Sequence, residues 1–281
     1  FIGAVGIAVR AVAPHCRSKA VDPAVVVLDE QGQFAVSLLS GHLGGANDLT
    51  RRLAAACSAV PVITTATDAR GVFAVDEWAV RQNCAVAEPE RIKYISSALL
   101  AGKPVRYFSD WRIAGEPPTG VQPAACAAQA DFALTLTPVG DALHIVPRVV
   151  VLGVGCKRGT TAHQLEKALA AFCAANGLAP QSIAAAASID LKKEEPGLLQ
   201  FAKTHGWTLE FYTSEALCAV PGRFTASHFV KEITGVDNVC ERAAVKAAGG
   251  QLFVPKWADN GVTLAAALRP FAPDWRWKTD G

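Results

Sequence analysis

Apolar residues come along this chain in short runs whose period switches between about two and about 3.6, the signature of strands and helices in alternation. Residues 24–28 and 33–38 are β-rich runs separated by Asp29-Glu30-Gln31-Gly32, a hairpin signal. Ahead of them, residues 1–9 alternate glycine with isoleucine and valine, as a buried strand turning into a helix does. Leu49, Leu53 and Ala56 then recur at helical spacing with Arg51 and Arg52 on the other face, which predicts an amphipathic helix over 45–59. A strand over 61–65 follows and ends in a polar loop, 65–71. Ligands gather at strand ends in open α/β sheets, so this loop is a secondary site candidate.

Helical patterns cover 76–83 and 88–100, the second opened by Glu88-Pro89-Glu90, a favourable first-turn composition. Residues 103–108 are strand-like, 109–130 form a loop or insertion rich in glycine, proline and alanine, and 131–148 hold two short strands across Pro138-Val139-Gly140-Asp141. The continuous β-branched run 149–154 predicts a buried parallel strand. A helix over 161–173 with a Leu165, Ala168, Leu169, Phe172 stripe comes next. Strand 183–189, helix 196–204, strand 208–212, helices near 214–220 and 227–246, and strands 251–254 and 262–267 complete the alternation. The fold class expected is α/β in two domains: 1–148, an N-terminal plus middle region, and 149–281, a three-layer α/β sandwich with a mostly parallel sheet.

Length agrees, since 281 residues is long for one compact core. With 51% apolar and 19% charged residues the composition is that of a globular protein without a membrane span. A net charge of +2 argues against a nucleic-acid binder. The 8 cysteines show neither CxxC nor zinc-ligand spacing, which reads as reduced thiols in a cytoplasmic protein with no metal site of its own. The chain begins at Phe1 and has no methionine, which suggests a truncated N-terminus, with methionine depletion as the alternative.

The most polar short stretch of the first half is 37–48, SLLSGHLGGAND, between an apolar strand and a helix. Its glycines Gly41, Gly44 and Gly45 permit close backbone approach, and the helix N-terminus offers N–H groups to a carboxylate or an oxyanion. His42 is either a general base or polarising donor, or a turn histidine bound to a backbone carbonyl. Ser40 could serve as nucleophile, but no G-x-S-x-G elbow surrounds it and a turn serine is the better reading. Asn47 and Asp48 suit a first helical turn and could also contact substrate. Arg10 is a carboxylate-binding candidate or a solvated ion-pair partner.

In the second half, 153–161 (GVGCKRGTT) fits neither the dinucleotide fingerprint, which needs glycine where Arg158 stands, nor a Walker A loop. What survives is an anion seat: Gly155, Lys157 and Arg158 at a helix N-terminus capped by Thr160 or Thr161, with solvated cations as the plain alternative. Cys156 could be a low-pKa thiolate, but a structural or weak binding role is favoured. Ser188, Asp190, Lys192, Glu194 and Glu195 close the next strand at the same sheet edge, where each could simply cap or pair.

SLLSGHLGGAND with the upstream VDPAVVVLDEQGQF resembles the CbiG family of cobalt-precorrin-5A hydrolases. VVVLGVGCKRGTTAHQLEKAL, SIDLKKEEPGLLQFA and FTASHFVKEITGVDNVCERAAV look like that family's C-terminal domain in the same order, and Ser227 and Glu241 are among the polar positions that match. The resemblance implies a cobalt-bearing tetrapyrrole substrate of the anaerobic cobalamin (vitamin B12) pathway, opening of its δ-lactone, and release of acetaldehyde to give cobalt-precorrin-5B. Under it, His42 or Asp48 activates water while amides of 41–45 hold the oxyanion, and the macrocycle's carboxylates meet Arg10, Asn47 and the 155–161 turn, with the macrocycle between the two glycine-rich turns. No cofactor is expected, because cobalt arrives within the substrate. A homodimer and transient hand-off to other pathway enzymes are the partner expectations, with neither nucleic acid nor membrane involved. The competing class is a non-catalytic carrier of corrinoid intermediates. A nucleotide-binding regulatory protein is a third reading, disfavoured by the broken fingerprints.

Overall fold

A computed structural model describes residues 1–18, 21–138 and 140–277; Val139 of the turn expected at 138–141 and the last four residues lie outside them. The chain forms two compact units. Unit 1 holds 1–135, 139–145 and 273–281, and unit 2 holds 136–138 and 146–272.

Unit 1 opens with helix α1 (Val5–Val12) and the hairpin β1 (Val25–Leu28) and β2 (Phe34–Leu39). The hairpin forms where the pattern places it because Asp29 closes the turn, its carboxylate accepting from the amides of Gln31 and Phe34. Helix α2 (Ala46–Cys57) then crosses over to β3 (Val60–Val62), which pairs parallel with β2. Its buried face is Ala46, Asn47, Thr50 and Ala54, not the Leu49, Leu53, Ala56 stripe of the sequence; Ala56 is exposed and Arg51 turns inward. Small side chains let the helix lie close on β2, and a cluster of carboxylates gives the inward arginine partners. The loop expected at 65–71 contains a short helix, α3 (Ala66–Arg70).

The remainder of unit 1 comprises α4 (Val75–Arg81), β4 (Cys84–Val86), α5 (Ile92–Leu100), β5 (Val105–Ser109), β6 (Val121–Pro123), β7 (Phe132–Leu134) and β8 (Leu143–Pro147). The sheet order is β4-β8-β7-β5-β6, with β6, β5, β7 and β8 parallel in turn. Strands β4 and β6 are too short and too interrupted to carry a period-two signal. Phe73, Trp78, Phe132 and Tyr107 form an aromatic core, and Trp275 from the end of the chain stacks on Trp78 with centroids 5.2 Å apart.

Unit 2 runs β9 (Val150–Cys156), α6 (Ala162–Asn176), β10 (Ile183–Ile189), α7 (Pro196–His205), β11 (Thr208–Tyr212), α8 (Ser214–Cys218), α9 (His228–Thr234), α10 (Cys240–Ala248), β12 (Gln251–Asp259) and β13 (Val262–Leu268). One helix expected over 227–246 is two, broken at Gly235, which sits at φ 74°. The sheet order is β11-β10-β9-β13-β12: β9, β10 and β11 are parallel, and β12 and β13 add an antiparallel edge. The crossovers from β9 to β10 and from β10 to β11 carry α6 and α7, which pack on each other, and α10 covers the opposite face of the sheet, giving three layers. Under α10 lie Val151, Ala185, Ala187 and Ala267. The helix comes so close that a Cβ on Gly153 would stand 1.8 Å from the Cys240 carbonyl oxygen. Among the described residues, no helix is long and apolar enough to cross a membrane.

Candidate functional site

Strands β2 and β3 are parallel neighbours, and the segments leaving their carboxyl ends bring His42 and Asp68 together. His42 Nε2 lies 3.0 Å from Asp68 Oδ2, and its Nδ1 lies 3.1 Å and 3.2 Å from the two oxygens of Asp76 on α4. Arg51, one turn into α2, bridges Asp68 and Glu77, reaching the latter at 3.1 Å. Asn47 donates to Asp68 Oδ2 at 3.0 Å and to Thr65 at 3.2 Å while accepting from Ser37 at 2.7 Å; Thr65 also bonds Asp68. The His42 side chain is 13% exposed, Asp68 9% and Asp76 7%.

Charge in this half-closed cluster follows from the geometry. Burial alone would lower the His42 pKa, but hydrogen bonds to Asp68 and Asp76 and the charges of Asp76 and Glu77 raise it to about 10. Burial likewise pushes Asp68 up, and its bonds to His42 and Thr65 with the charge on Arg51 bring it down to about 2. Glu77 is raised, first by burial and then by the neighbouring Asp68, against the opposing pull of His42 and Arg51. His42 is therefore an imidazolium at neutral pH. His42, Asp68 and Glu77 each bring one donor atom within 4.8 Å of the others, a spacing that suits a divalent cation. Here the Arg51 guanidinium spans the two carboxylates and, with the imidazolium, supplies the positive charge.

The general-base expectation for His42 does not suit this arrangement, since both ring nitrogens face carboxylates and the ring already holds its proton. Asp48 is half-buried in the first turn of α2, and the carboxylates set against His42 are Asp68 and Asp76. Ser40 is buried at φ 57°, and its Oγ has no hydrogen-bond partner. Asn47, 1% exposed, is an internal strut whose amide is engaged with Ser37, Thr65 and Asp68. The amides at the start of α2 are also engaged: Gly45 donates to His42, Ala46 to Ser40 and Asn47 to Gly41, all through carbonyl oxygens. The expected seat for an oxyanion is in this part closed by the turn itself. A Cβ on Gly41 would lie 2.7 Å from Asn47 Oδ1 and one on Gly44 2.4 Å from Ser40 Cβ, so both glycines answer to packing. Gly45, at φ 81°, is the α2 N-cap. Arg10 is exposed on α1 and takes no part in the hydrogen bonds of the cluster.

Sequence reasoning missed Arg51, Asp68, Asp76 and Glu77 as site residues. The one available signal was the polar loop 65–71, already marked by its place at a strand end. Arg51 was hidden by a helical stripe that pointed it to solvent, and Asp76 and Glu77 look like ordinary first-turn acids.

In unit 2 the 156–161 turn takes an anion, but the anion is the protein's own. Glu195 Oε1 accepts from the Gly159 amide at 2.7 Å and its Oε2 from Lys192 at 3.3 Å. Thr161 caps α6 in a reciprocal box with Gln164, and Thr160 donates to the Lys157 carbonyl at 2.8 Å. A Cβ on Gly155 would meet Thr263 Oγ1 at 2.4 Å, a packing constraint between β9 and β13. Burial pushes the Cys156 thiol up, against a reactive thiolate. Lys157 and Arg158 are exposed. Ser188 donates to the Val154 carbonyl, and fully buried Glu241 accepts from Thr225 and from the Lys256 amide; both are internal supports.

Comparison with known proteins matches three consecutive segments: residues 1–68 to the cobalamin synthesis G N-terminal family, 73–132 to the cobalamin biosynthesis central region and 150–267 to the cobalamin synthesis G C-terminus. The cobalt-precorrin-5A hydrolase of Salmonella typhimurium is 38% identical over 293 residues, covering 95% of this chain and 81% of that protein. The enzyme of the same name from Priestia megaterium is 31% identical, covering 96% and 78%. Among solved structures, a putative cobalamin biosynthesis protein G homolog from Sulfolobus solfataricus is similar at 22% identity and a TM-score of 0.39, covering 96% of this chain and 81% of that one. Identity of this extent, carried through all three segments in order, places the chain in the CbiG family of cobalt-precorrin-5A hydrolases.

Proposed function

We infer that the chain hydrolyses cobalt-precorrin-5A, opening the δ-lactone and releasing acetaldehyde to leave cobalt-precorrin-5B. The observation that carries this is the 38% identity to a cobalt-precorrin-5A hydrolase over 95% of the chain. The catalytic centre we propose is the cluster at the ends of β2 and β3. It departs from the sequence expectation in which group does what. Glu77, whose carboxylate burial makes more basic than an exposed one, is the member best suited to take a proton from the attacking water. The His42 imidazolium, with Arg51 beside it, supplies fixed positive charge for the oxyanion that forms on the lactone carbonyl. Water adds to that carbonyl, the ring oxygen leaves as an alkoxide, and collapse of the alkoxide breaks the carbon–carbon bond, freeing acetaldehyde and leaving the electron pair on the macrocycle carbon, which takes up a proton from water.

This reading assigns the protein no metal of its own, because the cobalt travels in the substrate. Within unit 1 the exposed Arg10 is proposed to meet one of the macrocycle's peripheral carboxylates. We place the protein in the cytoplasm and expect hand-off of the macrocycle to the neighbouring pathway enzymes; a homodimer is the oligomer to test by light scattering.

The test is acetaldehyde release from cobalt-precorrin-5A by the full chain and by His42→Ala and Glu77→Gln. Each variant is expected to lose about 100-fold or more in kcat. Turnover by both at the parental rate would move catalysis away from this cluster, and tight binding by the parent protein without acetaldehyde would identify a carrier instead.

A further inference from the structure

The two carboxylates on the His42 ring are not equivalent. Asp68 is over-supplied with donors: besides His42 it holds Asn47, Thr65 and Arg51. Withdrawing the imidazole from it still leaves a satisfied carboxylate. The Asp76 side chain is buried, and apart from His42 its hydrogen-bond partner among the described residues is the amide of Glu77, at 3.2 Å. Taking His42 from Asp76 would leave a buried charge with a single donor, which costs far more than the bond itself contributes. Any rearrangement that frees one edge of the ring therefore frees Nε2, from Asp68, and keeps Nδ1 on Asp76.

Asp76 is also tied to the aromatic core through its own helix. It stands two residues before Trp78, which is fully buried, stacks on Trp275 and donates from Nε1 to the Asp274 carbonyl at 2.7 Å. The aromatic core thus fixes the start of α4, and with it the carboxylate that His42 leans on.

We propose that Asp76 is a positioning residue for the hydrolase reaction: it anchors His42 through Nδ1 and so leaves Nε2 as the one edge that exchanges Asp68 for the substrate oxygen. This rests on the proposal that the cluster is the catalytic centre. Among the described residues the charged groups acting on His42 are Asp68 from α3 and Asp76 and Glu77 from α4, with Arg51 from α2 bridging Asp68 and Glu77. Of these, Asp76 is the one hydrogen-bonded to Nδ1 among the described residues.

The experiment uses the full chain with isotope-labelled histidine. The His42 titration is followed by NMR, and kcat and KM are measured by acetaldehyde release, for the parent, Asp76→Asn, Asp76→Glu and Asp68→Asn. Asp76→Asn is expected to lower kcat about 10–100-fold with KM within about twofold, and to lower the His42 titration midpoint by more than one pH unit, as loss of a carboxylate behind a working imidazole does. Asp76→Glu should restore part of both. Asp76→Asn that keeps kcat within about twofold overturns the proposal, as does an unmoved His42 midpoint in a folded variant. If Asp76→Asn fails to fold, Asp76→Glu decides: kcat and the His42 midpoint that fall or hold together support the proposal, and one that moves without the other overturns it. Absence of acetaldehyde from the parent protein counts against the hydrolase reading alone, since the His42 midpoints still decide the anchoring role.

Discussion

His42 keeps its proton because two carboxylates share its ring, and the consequence is a pH dependence of stability with a definite sign. Its folded pKa of about 10 lies above the unfolded value near 6.5. The stabilisation it brings is therefore present in full below pH ~6.5 and disappears as pH rises from there through about 10. Asp68 acts in the opposite sense: at about 2 when folded against ~3.9 unfolded, its contribution holds above pH ~3.9 and is lost as pH falls toward 2. The cluster should stabilise most between these limits. Urea midpoints recorded from pH 6 to 10 are expected to fall steadily in the parent protein, and the fall should be shallower in His42→Ala. Equal slopes in the two proteins would mean that His42 is not held as a cation. None of this was legible locally, because the sequence shows a histidine among glycines while its partners lie 26 and 34 residues away.

At the scale of elements, signals that depend on neighbours in sequence were readable and those that depend on neighbours in space were not. The α6 cap belongs to the first kind: Thr161 accepts from the Gln164 amide while Gln164 Oε1 accepts from the Thr161 amide at 2.9 Å. Thr161→Ala should cost about 1 kcal/mol, read as a lowered urea midpoint with an unchanged slope. Gly153 belongs to the second kind. In sequence it resembles the first glycine of a phosphate-binding loop, yet its lack of a side chain serves the approach of α10. Gly153→Ala is expected to destabilise by about 1–3 kcal/mol or more, since backbone on both sides must move apart; a neutral result would contradict the packing described. Helix α2 shows the same contrast, with its length legible and its inward face misread.

Over the whole molecule the chain crosses between its two units more than once, and its last described residues return to unit 1. There Trp275 packs edge-on to Tyr107 at 4.7 Å and stacks on Trp78, while the Pro273 carbonyl accepts from Ala114. The aromatic core of unit 1 is thus completed by residues nearly 200 positions from Trp78. Trp275→Ala should remove about 3–5 kcal/mol from unit 1, and tryptophan fluorescence in urea would register the loss as an earlier transition. A transition unchanged from that of the parent would show the tail to be dispensable. A sequence boundary near residue 148 marks where β9 begins a new α/β unit, but it carries no sign that the tail rejoins the first.

The sequence by itself determined the α/β alternation, the hairpin, the parallel strands of unit 2, the caps and the family, because period, turn chemistry and consecutive motifs are written over a few residues at a time. Only the tertiary structure decided what the SLLSGHLGGAND turn is for. It closed several of the amides that looked available, filled the second turn with Glu195, and set Asp68, Asp76, Glu77 and Arg51 around His42. The physical reason is that a proton's affinity and a carboxylate's charge depend on burial and on groups a few ångströms away, and those distances exist only once the chain has folded.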